Sequence, residues 1–270
     1  MCIAAGAATP LVTVMKIAVC IKQVLDRDAP LIIDATGQRV READLPRAMS
    51  EADRSALELA LTLKEAADGE LVVVSLGEAS ATQVIREALA RGADRGILLH
   101  HGGDPLEPLH VAAALAKVLG DEACDCVLTG VQSDDGGQAQ TAVMIAELLG
   151  MVHTTMVVEA AADAPAGLRA RRELEGGALQ WWRVPTPCVL TVQAGSYRLR
   201  HANIKGVMAA KKKPVATIPV EEAMSPDLPR TIETVALTTP PAREGAERIE
   251  GTTAEVVPPL AGVLTPYRSA

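Results

Sequence analysis

The sequence predicts an α/β protein built on a doubly wound, mostly parallel sheet. Near-continuous apolar runs, such as Lys16-Ile17-Ala18-Val19-Cys20-Ile21-Lys22 and Glu70 to Gly77, lack the polar alternation of a half-exposed strand. Strands buried on both faces read this way. These runs alternate with helical patterns across short loops, the βαβα order of a sheet covered on both sides. Apolar residues make up 49% of the 270 residues, yet aromatics only 1%, with no Phe. The core is therefore Val, Leu, Ile and Ala, which suits strands sandwiched between helices.

The first strand runs from Lys16 to Lys22, and the residues that follow leave its carboxyl end, where doubly wound sheets bind ligands. Leu31 to Val40, with Thr36-Gly37 as a turn, reads as a small hairpin. Ser50 stands as an N-cap before a helix from Glu51 to Ala67, whose Ala56, Leu57, Ala60, Leu61 and Leu63 keep helical spacing. A second strand spans Glu70 to Gly77, and a helix Ala79 to Arg91. A third strand covers Asp94 to His100, and a helix Pro105 to Leu119. Cys126 to Thr129 is a strand, and Ala139 to Leu149 a helix closed by Gly150. Met151 to Val158 follows as a strand. Leu168 to Glu173 and Ala178 to Val184 form a hairpin about Glu175-Gly176-Gly177, and Thr186 to Val192 is a last buried strand.

Net charge is −8, which argues against nucleic acid as the main partner. The five cysteines are odd in number and scattered, as in a reduced, cytoplasmic-type protein without a disulfide framework. Cys124-x-Cys126 sits at the start of a strand with no His–Cys set near it, so it reads as structural and no metal is expected. No apolar run is long enough to cross a bilayer, so membrane insertion is not expected. Residues 1–14 are Ala-rich without a basic start, and Met15 opens the first strand. They are expected to be a leader or a misassigned start.

The stretch that organises the chain is Val127 to Thr141: a strand end, the turn Ser133-Asp134-Asp135-Gly136-Gly137, and a helix start. Unpaired amides at a helix N-terminus can hold a phosphate, and paired glycines let backbone approach a ligand. The plainer reading is an ordinary strand–turn–helix with an Asp N-cap. The two carboxylates oppose an anion unless they point away from it. No nucleophile elbow, Walker A run or Gly-x-Gly-x-x-Gly is present, and the five histidines form no pair with Cys or Ser, so no catalytic residue is assigned.

Residues 197–213 surround Leu199, Ile204, Val207 and Met208 with Arg198, Arg200, His201, Lys205 and Lys211-Lys212-Lys213. A solvated basic helix and a docking loop for an acidic partner both fit this pattern. From Pro214 to residue 270 prolines cluster, no long helix is expected, and the stretch reads as an extended arm.

Five pieces resemble the β subunit of electron transfer flavoproteins in order and spacing over about residues 15–215. They are Lys16-Ile-Ala-Val-Cys-Ile-Lys-Gln-Val24, Ala88-Leu-Ala-Arg-Gly-Ala-Asp-Arg-Gly96, Gly130-Val-Gln-Ser-Asp-Asp135, Arg171-Arg-Glu-Leu-Glu-Gly-Gly177 and Asn203-Ile-Lys-Gly-Val-Met-Ala-Ala-Lys-Lys-Lys213. The resemblance implies an adenine nucleotide α-hydrolase-like sheet, a structural AMP, and a heterodimer whose larger α subunit carries redox-active FAD. It implies AMP contacts at Cys20, at Ser50, Glu51, Ala52 and Asp53, and at Leu76. The loop of Gly130, Val131, Gln132, Ser133, Asp134, Asp135, Gly136, Gly137, Gln138, Ala139, Gln140 and Thr141 completes that set. Glu173 matches an acidic residue that positions the flavin domain, and Ile204 an apolar anchor for a partner flavin dehydrogenase. Arg27 stands where some relatives place a Tyr beside the flavin.

The expected division is a nucleotide-binding domain at 15–195, a recognition segment at 196–213, and an arm from 214 to 270 that packs on the α subunit. The implied role is a cytoplasmic electron carrier without bond chemistry of its own. It takes electrons from acyl-CoA-type dehydrogenases, through the α-subunit FAD, to a membrane quinone oxidoreductase or another acceptor. Two departures bear on the nucleotide. Ser50-Glu51-Ala52 replaces the Asn-Pro-Phe or Asn-x-Trp of many relatives, and the turn lacks the Asp-Gly-Asp-Thr-Ala-Gln run of electron-bifurcating relatives. AMP is favoured over a second FAD on that ground. A free-standing adenine-nucleotide sensor of the same fold is the alternative from another class.

Overall fold

The computed structural model describes residues 14–42, 44–103, 105–163, 167–224, 228–241 and 245–267. They fall into two units. The larger runs up to Ile32 and from Arg41 to Glu233, and the smaller joins Ile33–Val40 to the chain from Thr234 onward.

In the larger unit β1 (Lys16–Cys20) leads into β2 (Gln23–Leu25), β3 (Arg47–Met49) and α1 (Glu51–Ala67). Then come β4 (Glu70–Gly77), α2 (Thr82–Arg91), β5 (Arg95–His100), α3 (Pro108–Glu122), β6 (Cys126–Gly130) and α4 (Thr141–Leu149). The rest is β7 (Val152–Ala162), β8 (Leu168–Glu173), β9 (Leu179–Val184), β10 (Cys188–Val192), α5 (Ile204–Ala210), β11 (Val215–Pro219) and α6 (Val220–Ala223). One sheet takes the order β11-β5-β4-β1-β6-β10-β7-β8-β9, and β2 with β3 makes a separate antiparallel ribbon. From β11 to β7 the pairs are parallel; β8 and β9 are added antiparallel. The expected doubly wound, mostly parallel sheet is what the chain forms.

The two faces follow from strand periodicity. Ile17, Val19, Leu71 and Val73 pack with Leu57 and Leu61 of α1 and Ile85 and Leu89 of α2. Ala18, Val72, Val74 and Val127 pack with Leu115 and Leu119 of α3 and Ile145 of α4. Each such Leu or Ile, buried fully, contributes roughly 1.5–3 kcal/mol relative to exposure.

The Ala-Asp-Arg-Gly run before β5 is explained by local geometry. Asp94 accepts the Leu71 N–H at 2.8 Å and pairs with Lys64 at 2.7 Å. Arg95 bridges Glu70 at 2.6 Å and Glu122 at 2.5 Å, and Lys16 joins Glu122 at 2.8 Å. A Cβ on Gly96 would lie 2.3 Å from Ile85 Cγ2, so α2 can reach β5 only over glycine. Asp125 does at β1 what Asp94 does at β4, accepting the Lys16 N–H at 2.8 Å.

Several expectations shift. The helix expected at Pro105–Leu119 starts at Pro108, which needs no N–H partner in the first turn, and runs through Gly120 to a left-handed cap at Ala123 (φ 49°). The hairpin expected over 31–40 is a single bridge, Ile33 to Val40, in the smaller unit. The stretch after Pro214, read as an extended arm without a long helix, carries regular elements. Val215–Pro219 pairs with β5, α6 buries Val220 and Ala223, and α7 (Thr253–Leu264) forms in the smaller unit behind a Thr252–Glu255 capping box. Sequence pattern misses α7 because Pro258 and Pro259 lie inside it. The reading of the first residues as a leader falls, up to residue 13, outside the described residues.

Arg95, and behind it Lys16, hold the Glu122 carboxyl at about 2, below its ordinary 4.5. Because the folded value is the lower one, the stability it brings is present above about 4.5 and lost as pH falls towards about 2. Urea unfolding between pH 5 and 2.5 should therefore show a shallower acid loss in Glu122→Gln than in the parent chain, from a lower starting stability at pH 5.

Candidate functional site at the sheet switch point

From β1 the chain winds outward through β4 to β5, then returns to place β6 on the other side of β1. Strand order therefore reverses between β1 and β6, and a crevice opens beyond their carboxyl ends. The crevice holds about 930 Å³ of empty space, part of it open to solvent. Cys20 and Lys22 come from the end of β1, Leu76 from β4, Thr129 and Gly130 from β6, and Val111 and Leu115 from α3. The loop from Val131 to Gln140 and the first turn of α4 form the rim.

Asp53 fixes this crevice. It lies in the first turn of α1 and is 6% exposed. One carboxylate oxygen accepts the Lys22 N–H at 2.7 Å, the other the Gly130 N–H at 2.9 Å. One side chain thus ties the ends of the two strands between which the order reverses. A Cβ on Gly130 would stand 2.5 Å from Asp53 Oδ1 and 2.7 Å from Ala52 Cβ, so α1 approaches β6 closely only because position 130 is glycine. Burial raises the Asp53 carboxyl to about 7, against the two amide bonds and the Lys22 charge, which pull it down.

The turn carboxylates are both engaged. Asp134 accepts the Glu51 N–H at 2.9 Å while its own N–H donates to Ser50 Oγ at 3.2 Å. Asp135 pairs with Lys22 at 2.7 Å. Asp134 is thus committed to the start of α1 and Asp135 to Lys22. Neither caps α4. The residue before α4 is Gln140, whose side chain accepts no cap hydrogen bond. The first-turn amides of α4 have no intrahelical acceptor and no side-chain cap, and Thr141 and Ala142 line the crevice. Left-handed backbone at Gly137 (φ 59°) and Ala139 (φ 53°) turns the loop into that helix start.

This geometry, a switch-point crevice ending on an uncapped helix N-terminus, is where the chain can be set beside known proteins. Residues 39–223 match the electron transfer flavoprotein domain. The chain belongs to the electron transfer flavoprotein family. It is 35% identical to the electron transfer flavoprotein subunit beta of Bradyrhizobium diazoefficiens over 254 residues, 93% of this chain and 100% of that relative. It is 34% identical to the subunit beta of Syntrophomonas wolfei, over 87% of this chain and 90% of that one. It is also 32% identical to the caffeyl-CoA reductase–Etf complex subunit CarD of Acetobacterium woodii, over 90% and 95%.

In this electron transfer flavoprotein chain the structure brings most of the residues singled out in sequence to one crevice. Cys20, Asp53, Leu76, Gly130, Val131, Gln132, Ser133, Gly136, Gln138, Ala139, Gln140 and Thr141 line it. Ser50, Glu51 and Asp134 instead form the clasp at its wall, Asp135 holds Lys22, Ala52 packs against Gly130, and Gly137 shapes the turn. Glu173, at the end of β8, and Ile204, the first residue of α5, are not lining residues. Sequence reasoning missed Lys22, Val111, Leu115 and Ile145 as lining residues. The signals were there: Lys22 ends the apolar run of β1, and the other three lie on the apolar faces of helices that reach the strand ends.

The basic segment sorts differently from its pattern. Arg200 is held by Glu58 at 2.9 Å and by Glu65. Lys213 donates to the Leu89 and Ala93 carbonyls at the end of α2. Arg198, His201, Lys205, Lys211 and Lys212 stay exposed, and Ile204 is 84% exposed. Gly206 seats α5 on α2, since a Cβ there would lie 2.2 Å from the Ala90 carbonyl oxygen.

Two outcomes check the site. Gly130→Ala should destabilise the chain by about 1–3 kcal/mol through overpacking against Asp53 and Ala52, read as a lowered urea midpoint. Asp53 has its folded value above the ordinary 3.8, so its contribution is fully present below 3.8 and lost as pH rises through about 7. The stability difference between the parent chain and Asp53→Asn should therefore shrink from pH 4 to 7 and level off above.

Proposed function

We propose that the chain is the β subunit of a heterodimeric, cytoplasmic electron transfer flavoprotein that holds AMP in the switch-point crevice. The observation that carries this reading is the uncapped start of α4 at the end of that crevice. A helix N-terminus whose amides lack partners favours an anion such as a phosphate. The residues present fit an adenylate: Leu76, Val111, Leu115 and Ile145 give apolar walls for a planar base, and Thr141 and Ala142 offer backbone N–H groups for the phosphate. The ion pair of Lys22 with Asp135 and the Ser50–Asp134 clasp hold the turn in place.

In this reading FAD on the larger α subunit supplies the redox chemistry. The present chain binds, orients and docks. Electrons pass from an acyl-CoA-type dehydrogenase to that FAD and on to a membrane quinone oxidoreductase or another acceptor. Residues 197–213 meet the dehydrogenase, with Ile204 as an apolar anchor inside the rim of Arg198, Lys205 and Lys211, the arrangement of an interface hot spot. The C-terminal stretch packs on the α subunit. In support, α7 buries none of its residues and leaves Val257, Leu260 and Leu264 exposed on one face. Glu173, on the exposed β7–β9 extension, positions the flavin-bearing domain across the subunit boundary.

A second reading places a second FAD where AMP would lie. A hollow of about 1120 Å³ of empty space, part of it open to solvent, is lined by Arg27, Glu51, Arg54, Asp134 and Tyr197, two of which belong to the clasp, and offers room for a longer ligand. The nucleotides released from the denatured heterodimer separate the two by mass spectrometry. One FAD and one AMP per heterodimer is expected; two FAD and no AMP would establish the second reading, and no adenine nucleotide beyond the α-subunit FAD would defeat both.

For docking, Ile204→Ala should raise the concentration of heterodimer that half-saturates its dehydrogenase about tenfold, with flavin content unchanged.

A further inference from the structure

The helix α5 is only seven residues long, and Ala210 is its one buried residue. So short a helix is marginal by itself in water, and one buried methyl adds little to hold it. Its exposed face is apolar. Ile204, Val207 and Met208, at positions i, i+3 and i+4, share that face and are 84%, 45% and 58% exposed. Apolar burial therefore does not fix α5, and the restraint must come from elsewhere.

It comes from an exchange of cations between two helix ends. Arg86, on α2, donates through Nη1 to the Ala210 and Lys213 carbonyls, both at 2.6 Å, where α5 finishes. Lys213 returns the contact. Its ammonium donates to the Leu89 carbonyl at 3.2 Å and to that of Ala93, where α2 finishes. The last carbonyls of a helix lack intrahelical donors and carry partial negative charge, so each cation stabilises the end of the other helix. At the entry to the segment Arg91, also on α2, donates to the Arg200 carbonyl at 3.0 Å. Asn203 caps α5 by accepting the Gly206 N–H at 2.7 Å. The acceptors that α2 and Lys213 use are all main chain. They fix where α5 lies without touching the side chains that it presents.

We propose that Arg86 and Lys213 are positioning residues for recognition of the electron donor. They lock α5 on α2 so that Ile204, Val207 and Met208 form a surface before any partner arrives. The inference rests on the docking role proposed above for residues 197–213 and adds the device that makes the segment rigid. A segment that had to order on contact would bind more weakly, in proportion to the fraction of time it is already folded. Neither residue needs to touch the dehydrogenase to set its affinity.

The test uses the heterodimer with its larger subunit, with an acyl-CoA dehydrogenase and its acyl-CoA as electron donor. Arg86→Met and, separately, Lys213→Met keep much of each aliphatic stem and remove the donors. Each should raise the half-saturating heterodimer concentration about five- to tenfold and leave the saturating rate unchanged. Without the dehydrogenase, amides of Val207 to Ala210 should exchange about tenfold faster in both variants, while those of β4 keep their protection. Arg86→Met combined with Ile204→Ala should fall well short of the product of the single effects, because both act through one surface. Unchanged half-saturation in both Met variants, with Ile204→Ala still raising it, overturns this inference and leaves the docking reading intact. So does a rise in which α5 stays protected and the Arg86→Met and Ile204→Ala effects multiply, the signature of a lost charge alone. An Ile204→Ala heterodimer that half-saturates like the wild type defeats the docking reading and this inference with it.

Discussion

The carboxylate of Asp53 is the constraint on which the rest of the structure turns. It spans the gap at which strand order reverses, taking one amide from Lys22, two residues past β1, and one from the last residue of β6. That gap is the weak point of any doubly wound sheet, because helices on either side diverge there and leave strand ends without cover. An ionised carboxylate sealed from water is costly, and burial does raise this one towards neutrality. Two short N–H bonds offset part of that cost, and they also fix α1 to the sheet at its first turn. The crevice has a defined floor because of this, and the loop after β6 leaves it in one direction.

The second consequence lies in the turn itself. Two adjacent aspartates beside a prospective anion site would repel an anion if they faced it. Asp134 is committed to the first amide of α1 and Asp135 to Lys22, so their charges serve the scaffold. The helix that follows is left uncapped, although Ser, Asp and Asn caps are the common solution.

Most of the sheet was legible in the sequence because burial on both faces removes ambiguity. Glu51–Ala67, Glu70–Gly77 and Leu168–Glu173 fall where their patterns place them. The strand–turn–helix at 130–141 was legible because glycines, a strand end and a helix start coincide there. What pattern could not show was the destination of cations. Lys213 belongs to a run of three lysines, yet it alone reaches the carbonyls that end α2, and Arg200 is drawn onto Glu58 of α1. Those acceptors are 120 and more positions away in the chain, and one set is backbone, which no side-chain pattern reveals. β11 was hidden for a related reason. Its prolines read as a linker, and only pairing with β5 on one side makes them compatible with a strand.

The aliphatic composition ties these points together. With no Phe and almost no aromatic residue inside, the layers of this sheet can approach until a neighbouring residue rests directly on glycine backbone. They do so at Gly130 under α1, at Gly96 under α2 and at Gly206 beneath α5, each a place where one added methyl would meet an atom closer than 3 Å. Close approach of this kind delivers rigidity, since tightly packed layers leave little room for a side chain to relax into. The same economy explains where the aromatic side chains went. Tyr197 is used as a hydrogen-bond post, its hydroxyl accepting the Ala160 N–H at 3.0 Å, and both tryptophans stand on β9, an edge strand of the sheet. A core that excludes large rings, with the few rings of the chain at its rim, describes an interior built for rigidity.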